Sequence, residues 1–100
     1  MSGNSALDGL MHWYHSQCNG TWEHEYGVKI GTLDNPGWEI AIDLNGTPLE
    51  YRAFEPVSHS QDDLDWYSCR LEGSTFRAYC GPRCLSQAIS VFLNWVGNTR

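Results

Sequence analysis

Apolar positions change period twice along the chain. From about Ala6 to Gln17, the residues Leu7, Leu10, Met11, Tyr14 and Cys18 recur at helical spacing, which is the single stripe of an amphipathic helix. Asn19-Gly20 ends it, because both residues tolerate the left-handed backbone of a helix stop. The period then shortens to two. Tyr26, Val28, Ile30 and Thr32 alternate with Gly27, Lys29 and Gly31, and Trp38, Ile40, Ile42 and Leu44 alternate with Glu39, Ala41 and Asp43. Such alternation predicts strands with one dry and one wet face. Asp34-Asn35-Pro36-Gly37 joins them as a turn, with Pro presetting its own angle. Asn45-Gly46 predicts a two-residue type I′ hairpin leading into a strand over Thr47 to Phe54. In that register Ile42 faces Leu49, Ile40 faces Tyr51, Trp38 faces Ala53 and Glu39 meets Arg52, so apolar residues pair and opposite charges pair. Glu55 to Asp65 is polar and reads as a loop. Trp66 to Leu71 and Thr75 to Cys80 form a second hairpin around Glu72-Gly73-Ser74. After Gly81-Pro82 the helical period returns at Leu85, Ala88, Ile89, Phe92, Leu93 and Val96, a cleaner stripe than the first.

Helix, five strands, helix is the element order this implies, in one domain spanning residues 1–100. The fold class is α+β: a two-layer arrangement of a five-stranded, mainly antiparallel, hairpin-rich sheet with the N-terminal and C-terminal helices on one face. The helices should cover the face carrying Ile40, Ile42 and Leu49. The opposite face, with Lys29, Glu39, Asp43, Glu50, Arg52, Arg70 and Arg77, is left to water or a partner.

Charge narrows the function. Six Lys and Arg stand against twelve Asp and Glu, a formal net charge of −6. Nucleic acid is therefore not an expected partner, since neutralising phosphates needs clustered cations, and a basic protein is. No apolar run approaches the roughly 20 residues that cross a bilayer, so no membrane partner is expected. Met1 to Leu10 has neither Lys nor Arg nor a long apolar stretch, so no secretory leader is expected. A cytoplasmic location follows, with Cys18, Cys69, Cys80 and Cys84 reduced.

Candidate chemistry is sparse. Cys80 and Cys84 make one loose pair without the second short-spaced pair that zinc wants, and Cys69 on a dry strand face reads as core. No metal or cofactor is expected. Cys18 with His24 and Glu23 could form a thiol–imidazole site, but the acidic surroundings would raise the thiol pKa and no nucleophile motif is present. Such a thiol- or metal-dependent enzyme is the alternative to a non-enzymatic protein. An aromatic-lined small-ligand pocket under the first helix is another. Asp62-Asp63-Leu64-Asp65 lacks the glycine and terminal Glu of a calcium loop. Acidic clusters beside aromatics stand out more: Glu23 and Glu25 beside Trp22 and Tyr26, and Asp62, Asp63 and Asp65 beside Trp66 and Tyr67. Aromatics anchor and charges steer a basic partner.

The segments Trp13-Tyr14, Gln17-Cys18-Asn19-Gly20, Trp22-Glu23-His24-Glu25-Tyr26-Gly27-Val28, Thr32-Leu33-Asp34-Asn35-Pro36-Gly37-Trp38 and Ile42-Asp43-Leu44, with Gly81-Pro82, Leu85 and Phe92-Leu93-Asn94-Trp95, resemble the bacterial immunity protein 53 family. The resemblance covers most of the chain. It implies an antidote of a polymorphic toxin system, which binds and neutralises a cognate toxin by protein–protein contact and catalyses nothing. A basic nuclease is one toxin class that an acidic inhibitor would block. The resemblance carries over no catalytic residues. Asn19 and Thr21 depart from it, where acidic residues are usual, as do Cys80 and Cys84. The residues expected to contact the partner are Trp22, Glu23, His24, Glu25, Asp34, Asn35, Asp62, Asp63 and Asp65.

Overall fold

The computed structural model describes residues 5–97. Its elements are α1 (Ser5–Gln17), α2 (Trp22–Glu25), β1 (Val28–Leu33), β2 (Gly37–Asp43), β3 (Val57–Ser60), β4 (Trp66–Glu72), β5 (Thr75–Cys80) and α3 (Leu85–Gly97). The five strands form one antiparallel sheet in the order β1-β2-β5-β4-β3. The α+β architecture read from the alternation is therefore present, with both terminal helices and five strands.

Two of the predicted hairpins are present. The turn after Leu33 closes β1 on β2, with Ile30 opposite Ile40 and Val28 opposite Ile42. Gly73 closes β4 on β5 with φ of 62°, a conformation that glycine takes without cost. Ile40, Ile42, Phe76, Ala78 and Cys80 are fully buried, and Cys69 nearly so. All lie on the face covered by α3, whose Ala88, Ile89, Phe92 and Trp95 are buried in turn. Phe92 meets Phe76 at 5.1 Å between ring centres and Trp13 at 5.0 Å. Burial of this kind, about 1.5–3 kcal/mol per large apolar side chain, supplies most of the folding free energy.

Two sequence expectations fail together. Thr47 to Phe54 is not a strand, and the strand beside β4 is Val57–Ser60, inside the segment expected to be a loop. The reason is that β2 has no free edge. β1 occupies one side and β5 the other, with Ile42 opposite Phe76 and Ile40 opposite Ala78 in place of Leu49 and Tyr51. The Leu44 amide donates to Ser74 O at 2.8 Å. Residues 44–52 instead run through successive turns. Thr47 donates its hydroxyl to Leu44 O at 2.8 Å and accepts the Leu49 amide at 3.1 Å. The connection then crosses to the far sheet edge and caps the core on the way. Leu44 and Leu49 are buried, and Trp95 Nε1 donates to Ala53 O at 2.9 Å. Arg52 consequently leaves the open sheet face, and its guanidinium sits 5.6 Å from the Trp95 ring centre. Glu50 also leaves it and accepts the Gly46 amide. Glu39 pairs with Arg77 at 3.0 Å.

α1 is rotated from its expected setting. Leu10 and Trp13 are buried, whereas Leu7, Met11 and Tyr14 are 47%, 58% and 37% exposed. α1 packs on α3 through Gly9, where a Cβ would come within 2.7 Å of Leu93 Cδ1. The close helix approach there turns the Leu7–Met11–Tyr14 stripe away from the core.

Candidate functional site

The antiparallel order puts the expected contact residues at opposite ends of the sheet. Trp22, Glu23, His24 and Glu25 lie where β1 begins and β2 finishes. Asp34, Asn35, Asp62, Asp63 and Asp65 lie at the other end, where β1 turns into β2 and β3 into β4.

At the first end the cluster folds inward. Trp22 is 5% exposed. Its indole donates to Asn45 O at 2.7 Å, and its ring meets Trp13 edge-on at 6.2 Å. Gly46, with φ of 78°, lies beside that ring, and a Cβ there would be 3.3 Å from Trp22 Cδ1. Glu23 accepts the Asn19 amide on one carboxylate oxygen and the Gly20 amide on the other, each at 2.9 Å. Asn19 Oδ1 accepts the amides of Thr21 and Trp22 at 2.9 Å. Through these bonds the Asn19 side chain starts the short helix. Backbone N–H groups, its own first and then those of Asn19 and Gly20, hold the Glu23 carboxyl below the usual glutamate range, as N–H donors to a carboxylate do. His24 and Glu25 are exposed, and their side chains make no hydrogen bond or ion pair among the described residues.

Cys18 and His24 do not form a pair. The Cys18 thiol turns back to donate to Tyr14 O at 3.4 Å, and no contact joins it to His24 among the described residues. Burial pushes the Cys69 thiol up to about 12 and the Cys80 thiol up to about 11, with neighbouring thiols adding to it. Neither is a thiolate at neutral pH. No group of three His, Cys, Asp or Glu side chains suited to a metal occurs among the described residues.

At the second end the cluster opens outward. Asn35, Pro36, Ser60, Asp62, Asp63, Leu64 and Trp66 line a groove of about 570 Å³, so two segments 27 positions apart in the chain form one surface. Asp62 organises the loop. Its Oδ1 accepts the Leu64 amide at 2.8 Å and the Asp65 amide at 2.9 Å. Asp65 Oδ1 faces inward, 3.2 Å from His59 Nε2 and 3.7 Å from Cys84 Sγ. His59 stacks on Tyr67. The loop sits on Gly81, where a Cβ would be 2.4 Å from Leu64 O. Trp38 Nε1 donates to Pro82 O at 3.0 Å, tying the β1–β2 end to the same segment. On this frame Asp34 and Asp63 are exposed with no hydrogen-bond or ion-pair partner among the described residues, and Leu64 is 52% exposed.

The open sheet face was the other surface left for a partner. Its arginines are paired: Arg77 bonds Glu39 and Glu72 at 3.0 Å each, and Arg70 bonds Glu72, while Lys29 is exposed and makes no ion pair among the described residues. Asp62 and Asp65 are expected from the sequence as partner contacts, and nothing in the sequence signals that their oxygens bond within the loop and to His59 and Cys84. Ser60, Leu64, Trp66 and Pro36 were not among the expected contacts, and only the pairing of strands brings them to the groove.

No helix among the described residues is long and apolar enough to cross a membrane. A family model described as immunity protein 53 matches residues 7–97. No curated protein and no solved structure matches the chain significantly.

Proposed function

From the premise that the chain belongs to the immunity protein 53 family, we propose that it neutralises a cognate toxin by occupying it, with no bond made or broken, through the acid-rimmed groove at the Asp62 end of the sheet. The observation that carries this reading is the convergence of Asn35 and Pro36 with Asp62, Asp63 and Leu64 on one groove, with Asp34 beside Asn35 in the turn between β1 and β2. The groove combines what a protein interface needs: an exposed apolar anchor at Leu64, the flank of a Trp, and carboxylates with unused acceptor capacity. The matching surface is basic. A nuclease fits, because its nucleic-acid site is already cationic and an acidic plug competes for it.

Coupling is electrostatic in the encounter and apolar in the lock. Free carboxylates raise the association rate at low salt, and the Debye length of about 8 Å at physiological salt trims that gain. Leu64 then governs dissociation. The test is binding to the product of the adjacent toxin gene by surface plasmon resonance. The double variant Asp34→Lys/Asp63→Lys should weaken affinity at least about tenfold, mostly through a slower on-rate, with stability changed by no more than about 0.5 kcal/mol. An unchanged on-rate across salt concentrations refutes the groove as the docking surface.

A further inference from the structure

The sheet ends in two unequal edges. β3 is four residues long and runs straight into the acidic loop. β1 is six residues long and has an apolar groove of about 320 Å³ beside it, lined by Leu7, Leu10, Met11, Tyr14, Val28 and Ile30 with Gly27. This groove takes in the exposed stripe of α1. Among the described residues no charged side chain lines it, although the chain carries a net charge of −6. Its walls are open, with Met11 58%, Leu7 47% and Ile30 38% exposed, so it does not enclose a small molecule as a ligand pocket does.

The backbone phase of β1 is readable. The Asp43 amide donates to Gly27 O at 3.0 Å, and Gly27 lies one step beyond the Val28–Ile42 pair. Antiparallel bonding alternates, so Lys29, Gly31 and Leu33 bond to β2 while Val28, Ile30 and Thr32 point N–H and C=O away from the sheet. Those three residues also face the helix side, toward the groove. Unpaired strand edges recruit strands.

We propose that this edge is a self-association surface, on which a second copy of the chain adds its β1 antiparallel about a two-fold axis at Ile30. In this register Ile30 pairs with Ile30 of the second copy and Val28 with Thr32. All outward groups of the three residues are used, giving about six backbone hydrogen bonds. On the open face Lys29 lies opposite Gly31, so like charges do not meet. Shifting by two residues one way would set Lys29 opposite Lys29, and shifting either way would lose outward pairs. On the helix side the two Ile30 side chains meet, and Leu7, Met11 and Tyr14 of both copies close over them. Two bodies of net charge −6 repel on most approaches. They meet here across an uncharged groove flanked by Lys29 of each copy, the only charged residue of the strand. The self-matching pattern is what an isologous interface demands. The surface is separate from the acidic groove, so a dimer can exist whether or not that groove binds a toxin.

The test is sedimentation equilibrium on the full chain together with amide exchange. The wild type should dimerise, and Ile30→Lys, which places two like charges on the axis, should raise the dimer dissociation constant at least about tenfold while leaving the circular dichroism spectrum unchanged. Met11→Gln should weaken the dimer without touching the strand. The amides of Val28, Ile30 and Thr32 should exchange slowly in the dimer and fast in the Ile30→Lys monomer, whereas Lys29 and Gly31 stay slow in both. A wild type that is monomeric throughout overturns the proposal. So does a dimer in which Val28, Ile30 and Thr32 exchange fast, or a monomer in which they slow only when the adjacent-gene toxin is added.

Discussion

At the Trp22 end of the sheet both oxygens of Glu23 accept backbone amides and the indole N–H of Trp22 is bonded to Asn45. At the Asp62 end one aspartate ties the loop, a second faces His59 and Cys84, and Asp34 and Asp63 carry carboxylates with no partner among the described residues. Both ends hold acids next to aromatics. They differ in where the spare capacity lies: at the first end Trp22 and Glu23 are used by the fold and Glu25 stands exposed with no side-chain partner among the described residues, whereas at the second end Asp63 lines a groove. An acid whose oxygens are already filled from inside its own loop contributes to the fold. An acid with oxygens to spare can contribute to recognition. Proximity of Asp, Glu and Trp in sequence does not separate the two cases.

Substitutions can break this contrast, starting with the largest effect. Trp22→Ala removes a buried aromatic and leaves Asn45 O without its donor. It should cost about 3–5 kcal/mol in urea denaturation. A loss below about 1 kcal/mol would mean that the first end is as superficial as the second. Next comes the Asp34→Lys/Asp63→Lys double variant, where the loss should appear in toxin binding and not in the melt. A smaller and finer test sits at Asp62. Asp62→Asn keeps an oxygen for the Leu64 and Asp65 amides and removes only charge. Asp62→Ala removes the turn as well, and should lower stability by a further 1 kcal/mol or so. Equal stability of the two variants would show that the loop holds itself without that side chain.

The smallest effect is titration of Glu23. Its carboxyl pKa is lowered in the folded state, so its contribution is present above the unfolded glutamate pKa and is lost as pH falls through the lower folded value. On acidification the Asn19 and Gly20 amides should begin to exchange faster before the sheet amides do. An NMR titration of Glu23 that follows an ordinary glutamate would contradict the assigned bonds.

Much of the fold was legible because period-two alternation survives wherever a strand has one buried face. β2 and β5 show it cleanly, and their buried residues are the expected ones. Asn45-Gly46 misled because a turn dipeptide reports a local bend and not the strand that follows. The edge it would have needed was taken by β5, thirty residues on. Val57–Ser60 was invisible because a short edge strand of Ser, His and Ser needs little apolar alternation when its neighbour β4 offers the ladder. The groove at the Asp62 end was only half legible. Its acids were apparent, but Asn35 and Leu64 meet through the crossover topology, which no local pattern encodes. The α1 stripe was read as core since spacing reveals a face and not its direction. Gly9 against Leu93 decided the direction.

The sheet order also has a temporal consequence. β5 lies between β2 and β4, so the β1–β2 hairpin and the β3–β4 half cannot share a core until residues 75–80 have left the ribosome. At roughly 5–20 residues per second of synthesis, the first hairpin waits several seconds with Ile40 and Ile42 unprotected. The working shape of the protein is thus reached only late in synthesis, when the central strand arrives.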